Sequence, residues 1–180
     1  MAAKLLQPQG MVNMDGVDQF FHTGSVVWEL ESSDKFLAIR EVILRAPVFR
    51  RIAGLDLDEF ARVVIQREQV VSTGFGHGVA VAHGRTPAVG GSHIALGVSR
   101  RGLEYDAPDG KPVHLLFVVA NHPEQQMDYL KIISTLAVLL RNDAFRHELL
   151  SCVKQDEMES KLCSAFNERM RLRAFANARA

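Results

Sequence analysis

Seven histidines are the residues of this 180-residue chain best suited to chemistry near neutral pH: His22, His77, His83, His93, His114, His122 and His147. His83 stands apart by its surroundings. It closes a short β-prone run, Val79-Ala80-Val81, and Gly84 follows it directly. Gly74, Gly76 and Gly78 precede that run at alternate positions. An imidazole where an extended segment meets a glycine turn is expected at the rim of a sheet, with rigid strand behind it and open backbone beside it. Neutral imidazole is a good nucleophile. Phosphoryl transfer would suit it, because that transition state needs positioned donors and positive charge more than acid or base groups. Amides of a glycine loop supply donors, and one arginine supplies charge. The residues alone leave two readings of His83 open: a phosphoryl acceptor, or a packed structural histidine.

Other chemistries find less support. His22 and His147 read as surface or helix residues, and His93 and His114 sit in strand patterns that suit packing. There is no HExxH, no HxH and no cysteine partner, so no metal site is expected. Gly-x-Ser-x-Gly is absent, and Gly74–Gly78 matches neither a Walker loop nor GxGxxG. No cofactor is expected. Cys152 and Cys163 lie in helix-like segments and read as small buried apolar residues.

The elements that must position His83 follow from periodicity. Val26–Glu31 alternates and predicts a strand. Ser32-Ser33-Asp34 offers caps for a helix carrying Phe36, Ile39 and Ile43, closed by Pro47. Asp56 and Glu59 have capping-box spacing. Leu57, Phe60, Ala61 and Val64 then form one apolar stripe. Arg67 continues that stripe at the helix end. It reads as a salt bridge or C-terminal cap, or as a guanidinium reaching an anion site beside His83. Downstream, His93–Ser99 and Leu103–Tyr105 predict two strands, Asp109-Gly110 a hairpin turn, and Val113–Ala120 a central strand covered on both faces. A helix running to about Arg141 follows, with Pro123 near its start. Asn142-Asp143 can cap the next helix, with Phe145, Leu149, Cys152 and Val153 buried. Asp156 and Glu159 open a last helix with Met158, Leu162, Ala165 and Phe166 inside, and the basic tail is expected to fray.

The fold class is therefore α/β, one domain, with a mixed, mainly five-stranded sheet between helices. The expected layout is an N-terminal extension over 1–25 packed on the domain, the domain over 26–165, and a basic tail over 166–180. Asp15-Gly16 reads as a turn, and Phe20-Phe21 is expected to dock on the core. Formal net charge is zero, so nothing global favours nucleic acid or a membrane surface. No signal-peptide core and no membrane-length apolar run is present, which points to the cytoplasm.

The string Arg67-Glu68, Ser72-Thr73-Gly74, Gly76, Gly78-Val79-Ala80-Val81, His83-Gly84-Arg85 resembles the enzyme IIA domain of the bacterial phosphoenolpyruvate:sugar phosphotransferase system. It is similar to the fructose/mannitol type, and most of all to its free-standing nitrogen-regulatory branch. Further matches are Pro112-Val113, Leu115-Leu116-Phe117 and Leu130, and the resemblance spans about 26–165. It implies a helix-flanked five-stranded mixed sheet. It implies that His83 takes phosphate from the carrier protein HPr, that Arg67 neutralises it, and that the phosphate is held covalently with no cofactor. Thr73, the glycine-loop amides, and Tyr129 or His122 are the expected lining. A IIB domain, or a regulatory target protein, is the implied downstream partner. No fused IIB, IIC or HPr segment accompanies the domain here, which leans toward regulation, and nothing excludes a homo-oligomer. Two departures stand out. Ala82 replaces the proline before the histidine, and Tyr129 replaces the second histidine of the family site. A tyrosine hydroxyl donates a hydrogen bond but carries no positive charge at neutral pH, which motivates an alternative to the phosphocarrier: a protein-binding regulator that keeps the fold and no longer cycles phosphate. His122, in the adjoining loop, is read as a compensating cation or as an exposed loop residue.

Overall fold

The computed structural model describes residues 20–177. Five strands form one sheet: β1 (Val26–Val27), β2 (Gly74–Gly76), β3 (Val79–Arg85), β4 (His93–Leu103) and β5 (Val113–Asn121), in the order β1-β4-β5-β3-β2. The sheet is mixed. β3 and β5 run parallel, as do β1 and β4, while β4–β5 and β2–β3 are antiparallel. Six helices complete the domain: α1 (Lys35–Arg45), α2 (Pro47–Arg50), α3 (Leu57–Val70), α4 (Gln126–Leu140), α5 (Asp143–Leu150) and α6 (Gln155–Asn177).

Alternation along the strands builds two apolar layers. Ala80, Ala82, Leu116 and Val118 face α1, α2 and α3. Val79, Leu115, Phe117 and Val119 face α4, α5 and α6. β5 is the middle strand, and every residue of it except His114 is buried, as its continuous apolar run predicts. Phe20 and Phe21 dock on the second layer, edge-on to Phe166. The Asp15-Gly16 turn, most of the 1–25 extension and Arg179 lie outside the described residues.

The predicted caps are in place. Asp34 accepts from the N–H groups of Phe36 and Leu37, Asp56 from Glu59, and Asn142 from Phe145. Elsewhere the sequence reading needs correction. The strand expected over Val26–Glu31 is regular only at Val26–Val27; the Leu30 N–H still donates to the Val98 carbonyl of β4 at 2.8 Å, and beyond it the N–H groups of Glu31 and Ser32 turn to the Glu41 carboxylate at 3.0 and 2.9 Å. His93–Ser99 and Leu103–Tyr105 are not two strands. Gly102 takes φ +83° and absorbs an irregularity in register, so β4 runs on to Leu103. Pro47 opens α2 after α1 has ended at Arg45, and Pro123 lies before α4. α5 stops at Leu150, which carries Val153 off the buried stripe to 80% exposure. Ala165 is only half-buried. The C-terminal segment is helical to Asn177, so α6 crosses the expected tail boundary at 165/166.

Candidate functional site

β3 carries His83 to the edge of the sheet. β2 gives out opposite Val81, whose N–H donates to the Thr73 carbonyl at 3.1 Å, and His83 lies two residues further on. Its side chain falls on the α4 face, in register with Val119 of β5. Gly84 follows, but it makes no turn. It lies within β3 on the opposite face, where a Cβ would stand 2.7 Å from Val64 Cγ2 and 3.0 Å from Phe60 Cε2. The glycine is there because α3 packs directly on the strand.

A cleft of about 180 Å³ opens beside His83. Arg67 from α3, the segment Ser72–Phe75, Val81, and Tyr129, Ile133 and Leu136 from α4 form its walls. Among the described residues no carboxylate lines it. The Tyr129 hydroxyl is 3.2 Å from His83 Nδ1, with the two rings 4.7 Å apart. Arg67 Nη1 donates to the Val71 carbonyl at 3.0 Å, so one nitrogen caps the end of α3 while the guanidinium still borders the cleft. The capping reading of Arg67 is met, and the same side chain borders the cleft beside His83. Val70 and Val71 follow Arg67 at the end of α3, Met127 and Leu130 lie beside Tyr129 in the first turns of α4, and all four are exposed apolar residues.

The electrostatics favour a neutral imidazole. Burial, and next the Arg67 guanidinium, hold the His83 pKa below its ordinary value; a hydrogen bond with the Val81 backbone works against them and Arg85 adds to them. Burial raises the Tyr129 hydroxyl pKa, against the pull of Arg67 and Arg85. The ring is thus kept uncharged among cations. That combination holds a nucleophilic lone pair ready and favours an incoming anion.

The structure brings His83, Arg67, Thr73 and Tyr129 to one cleft. It does not bring His122 there. His122 sits in the β5–α4 loop, where its Nδ1 accepts from the Glu124 N–H at 3.2 Å. The expectation that glycine-loop amides line the site also fails. Gly74 alone of the three borders the cleft, and its N–H is directed to Ser72 Oγ at 3.2 Å. Gly76 and Gly78 serve the far turn, with φ +83° and +77° on either side of His77 at +56°. Two residues were missed. Arg85 was quoted only within the motif, yet its charge reaches His83. Glu68 was passed over in favour of its neighbour, although four residues after Val64 it falls on the buried stripe of α3 and is 2% exposed. Among the described residues no group of acidic, histidine and cysteine side chains has the arrangement of a metal site.

Comparison with known proteins agrees with the fold. A fructose-specific EIIABC component of the phosphotransferase system from Bacillus subtilis is 32% identical over 128 residues, 71% of this chain and 20% of that protein's length. A nitrogen regulatory protein from Bradyrhizobium diazoefficiens is 28% identical over 120 residues, covering 67% of this chain and 76% of the relative. The crystal structure of the nitrogen regulatory protein IIA-Ntr from Neisseria meningitidis superposes with a TM-score of 0.73 at 27% identity, over 81% of this chain and 98% of that one. The profile of the family described as phosphoenolpyruvate-dependent sugar phosphotransferase system, EIIA 2, matches residues 19–163. That match takes in every strand and helix that frames the cleft, and the chain belongs to this family.

Proposed function

We propose that this protein is a IIA phosphocarrier of the nitrogen-regulatory kind, which takes a phosphoryl group from phospho-HPr onto His83. The observation that carries the proposal is a neutral imidazole at the mouth of a carboxylate-free cleft, flanked by Arg67 and backed by Tyr129. Tyr129 occupies Nδ1, which leaves Nε2 as the attacking nitrogen. Its lone pair forms the new N–P bond as the bond from phosphorus to the donor breaks. The ring proton stays on Nδ1, where the tyrosine oxygen accepts it. The arginines then face a phosphoryl dianion in place of a neutral ring. No cofactor is needed, because the phosphate is itself the covalent intermediate.

The exposed apolar residues around the cleft give the donor protein a surface on which to dock. The kinship to nitrogen regulatory proteins supports a regulatory output, in which the phosphorylated and free forms act differently on a target protein. A second reading has a specific basis in the kinship to a fructose-specific component: His83 passes its phosphate to a IIB domain. Both readings place the protein in the cytoplasm, where phospho-HPr is met. No helix among the described residues is long and apolar enough to cross a membrane. Incubation of the phosphorylated protein with a fructose- or mannitol-type IIB domain separates the two outputs. Retention of phosphate on His83 supports regulation, and rapid loss to IIB supports sugar transport.

A further inference from the structure

Behind the cleft wall lies a charged group that the phosphoryl reading leaves unused. Glu68 is the sequence neighbour of Arg67, but it turns the opposite way. Its side chain is fully enclosed, at 0% exposure. A carboxylate so placed is costly unless it is paired and hydrogen-bonded. Here it is both. The Thr73 N–H donates to it at 3.0 Å, and the Thr73 hydroxyl donates to the same oxygen. Lys35 Nζ stands 3.7 Å away, held in turn by Asp106 at 2.6 Å and lying over the Tyr105 ring. The Tyr105 hydroxyl is 3.4 Å from Thr73 Oγ1, and the Tyr105 carbonyl accepts from Ser72 Oγ at 2.7 Å. The start of α1, the end of α3, the segment entering β2 and the β4–β5 connection therefore meet at one carboxylate.

We infer that Glu68 is a positioning residue for the His83 site: its enclosed carboxylate, neutralised by Lys35, holds Thr73 and with it the Ser72–Gly74 wall that faces the imidazole. The inference rests on the phosphoryl-transfer reading of that cleft. An ionised carboxylate only accepts hydrogen bonds, so Glu68 cannot bind a phosphoryl oxygen itself. Both donors of Thr73 are spent on Glu68, so Thr73 shapes the cleft rather than donating into it. A leucine at this stripe position would satisfy the core of α3 equally well. What the glutamate adds is a fixed link from the helix end that carries Arg67 to the strand entrance opposite His83. Arg67 and the Thr73 wall are thereby set at a constant separation.

Two readouts on Glu68→Gln, Thr73→Val, Thr73→Ser and the Glu68→Gln/Thr73→Val pair test this. The first is amide hydrogen exchange at Thr73 and Gly74, followed by NMR. The second is the initial rate of phosphoryl transfer against phospho-HPr concentration. Loss of a charge-assisted bond predicts exchange at Thr73 faster by about tenfold in Glu68→Gln, and kcat lower by about tenfold, with KM for phospho-HPr within about twofold of wild type. Thr73→Ser keeps both values. The double variant is expected to be slower than Glu68→Gln by less than Thr73→Val slows the wild type, because the hydroxyl bond acts through the same carboxylate. Thr73→Val removes the hydroxyl bond, keeps the backbone N–H bond and adds no buried charge, so it is expected to show the same changes to a smaller degree and remains informative if Glu68→Gln folds poorly. Wild-type exchange together with wild-type kcat in Glu68→Gln and Thr73→Val overturns the inference. Should the wild-type protein take no phosphate from phospho-HPr, the functional reading falls, and the exchange measurement alone decides whether Glu68 holds the wall.

Discussion

The hydroxyl of Tyr129 stands 3.2 Å from Nδ1 of His83, across the cleft between α4 and the end of β3. In the proposed reading this contact orients the ring, with Nε2 as the nitrogen that takes the phosphoryl group. Loss of this bond in Tyr129→Phe frees the ring to rotate and to change tautomer. A neutral hydrogen bond is worth about 1 kcal/mol, so phosphoryl acceptance is expected to slow by about three- to tenfold, with the fold unchanged. Stopped-flow or quench kinetics with phospho-HPr would check this. Tyr129→His restores the residue of the family pattern and is expected to accept phosphate at least as fast as wild type.

The pKa of His83 carries a second prediction. Burial lowers it first and Arg67 next. Replacing Arg67 with glutamine removes only the second cause, so the pKa rises toward the ordinary value of about 6.5 without reaching it. An NMR titration of the ring protons would show the upward shift. Stability follows with a definite sign. A histidine whose folded pKa lies below the unfolded value contributes stability that is full above about pH 6.5 and is lost as pH falls through the folded pKa. The window of loss is expected to be narrower in Arg67→Gln than in wild type.

Gly84 gives a prediction about packing. A methyl group there meets Val64 and Phe60 within 2.7 and 3.0 Å. Gly84→Ala must push α3 away from β3, at a cost of about 1–3 kcal/mol in denaturant unfolding. Because α3 carries Arg67, phosphoryl acceptance is expected to fall as well. A similar methyl added at the exposed Gly90, which meets nothing within 4 Å, leaves both unchanged.

Glu159 gives another. From α6 its carboxylate accepts the N–H groups of Gly24 and Ser25, both at 2.6 Å, and so fixes the entry to β1. Two charge-assisted bonds are lost in Glu159→Ala, and a destabilisation of about 2 kcal/mol is expected by chemical denaturation. His83 lies on the opposite side of β5 from β1, so phosphoryl acceptance by the folded protein is expected to be unaffected.

Much of this was legible in the sequence, for physical reasons that differ from residue to residue. The helix starts were marked by Asp34, Asp56 and Asn142, because a cap is a local interaction with a local signature. The centre of the sheet was marked by Val113–Ala120, because only a strand covered on both faces needs so continuous an apolar run. Misreadings arose where a distant group decided the outcome. Glu41 takes the N–H groups of Glu31 and Ser32 at the end of the expected first strand, and nothing within Val26–Glu31 announces it. Gly84 looks like a turn residue in sequence because a strand glycine required by a neighbouring helix has the same local signature. At the site, the apolar stripe placed Arg67 at the inner end of its helix, and the glycine-rich string singled out His83. Glu68 was visible in principle as a carboxylate on an apolar stripe, but its partners Lys35, Thr73 and Tyr105 come from three separate stretches of chain.

The most direct test of the account is the intact mass of the protein after incubation with phosphoenolpyruvate, enzyme I and HPr, run beside His83→Ala. The account predicts a gain of one acid-labile phosphoryl group in wild type and none in His83→Ala. A phosphoryl group that persists in His83→Ala, or a wild-type mass that never changes, would contradict it.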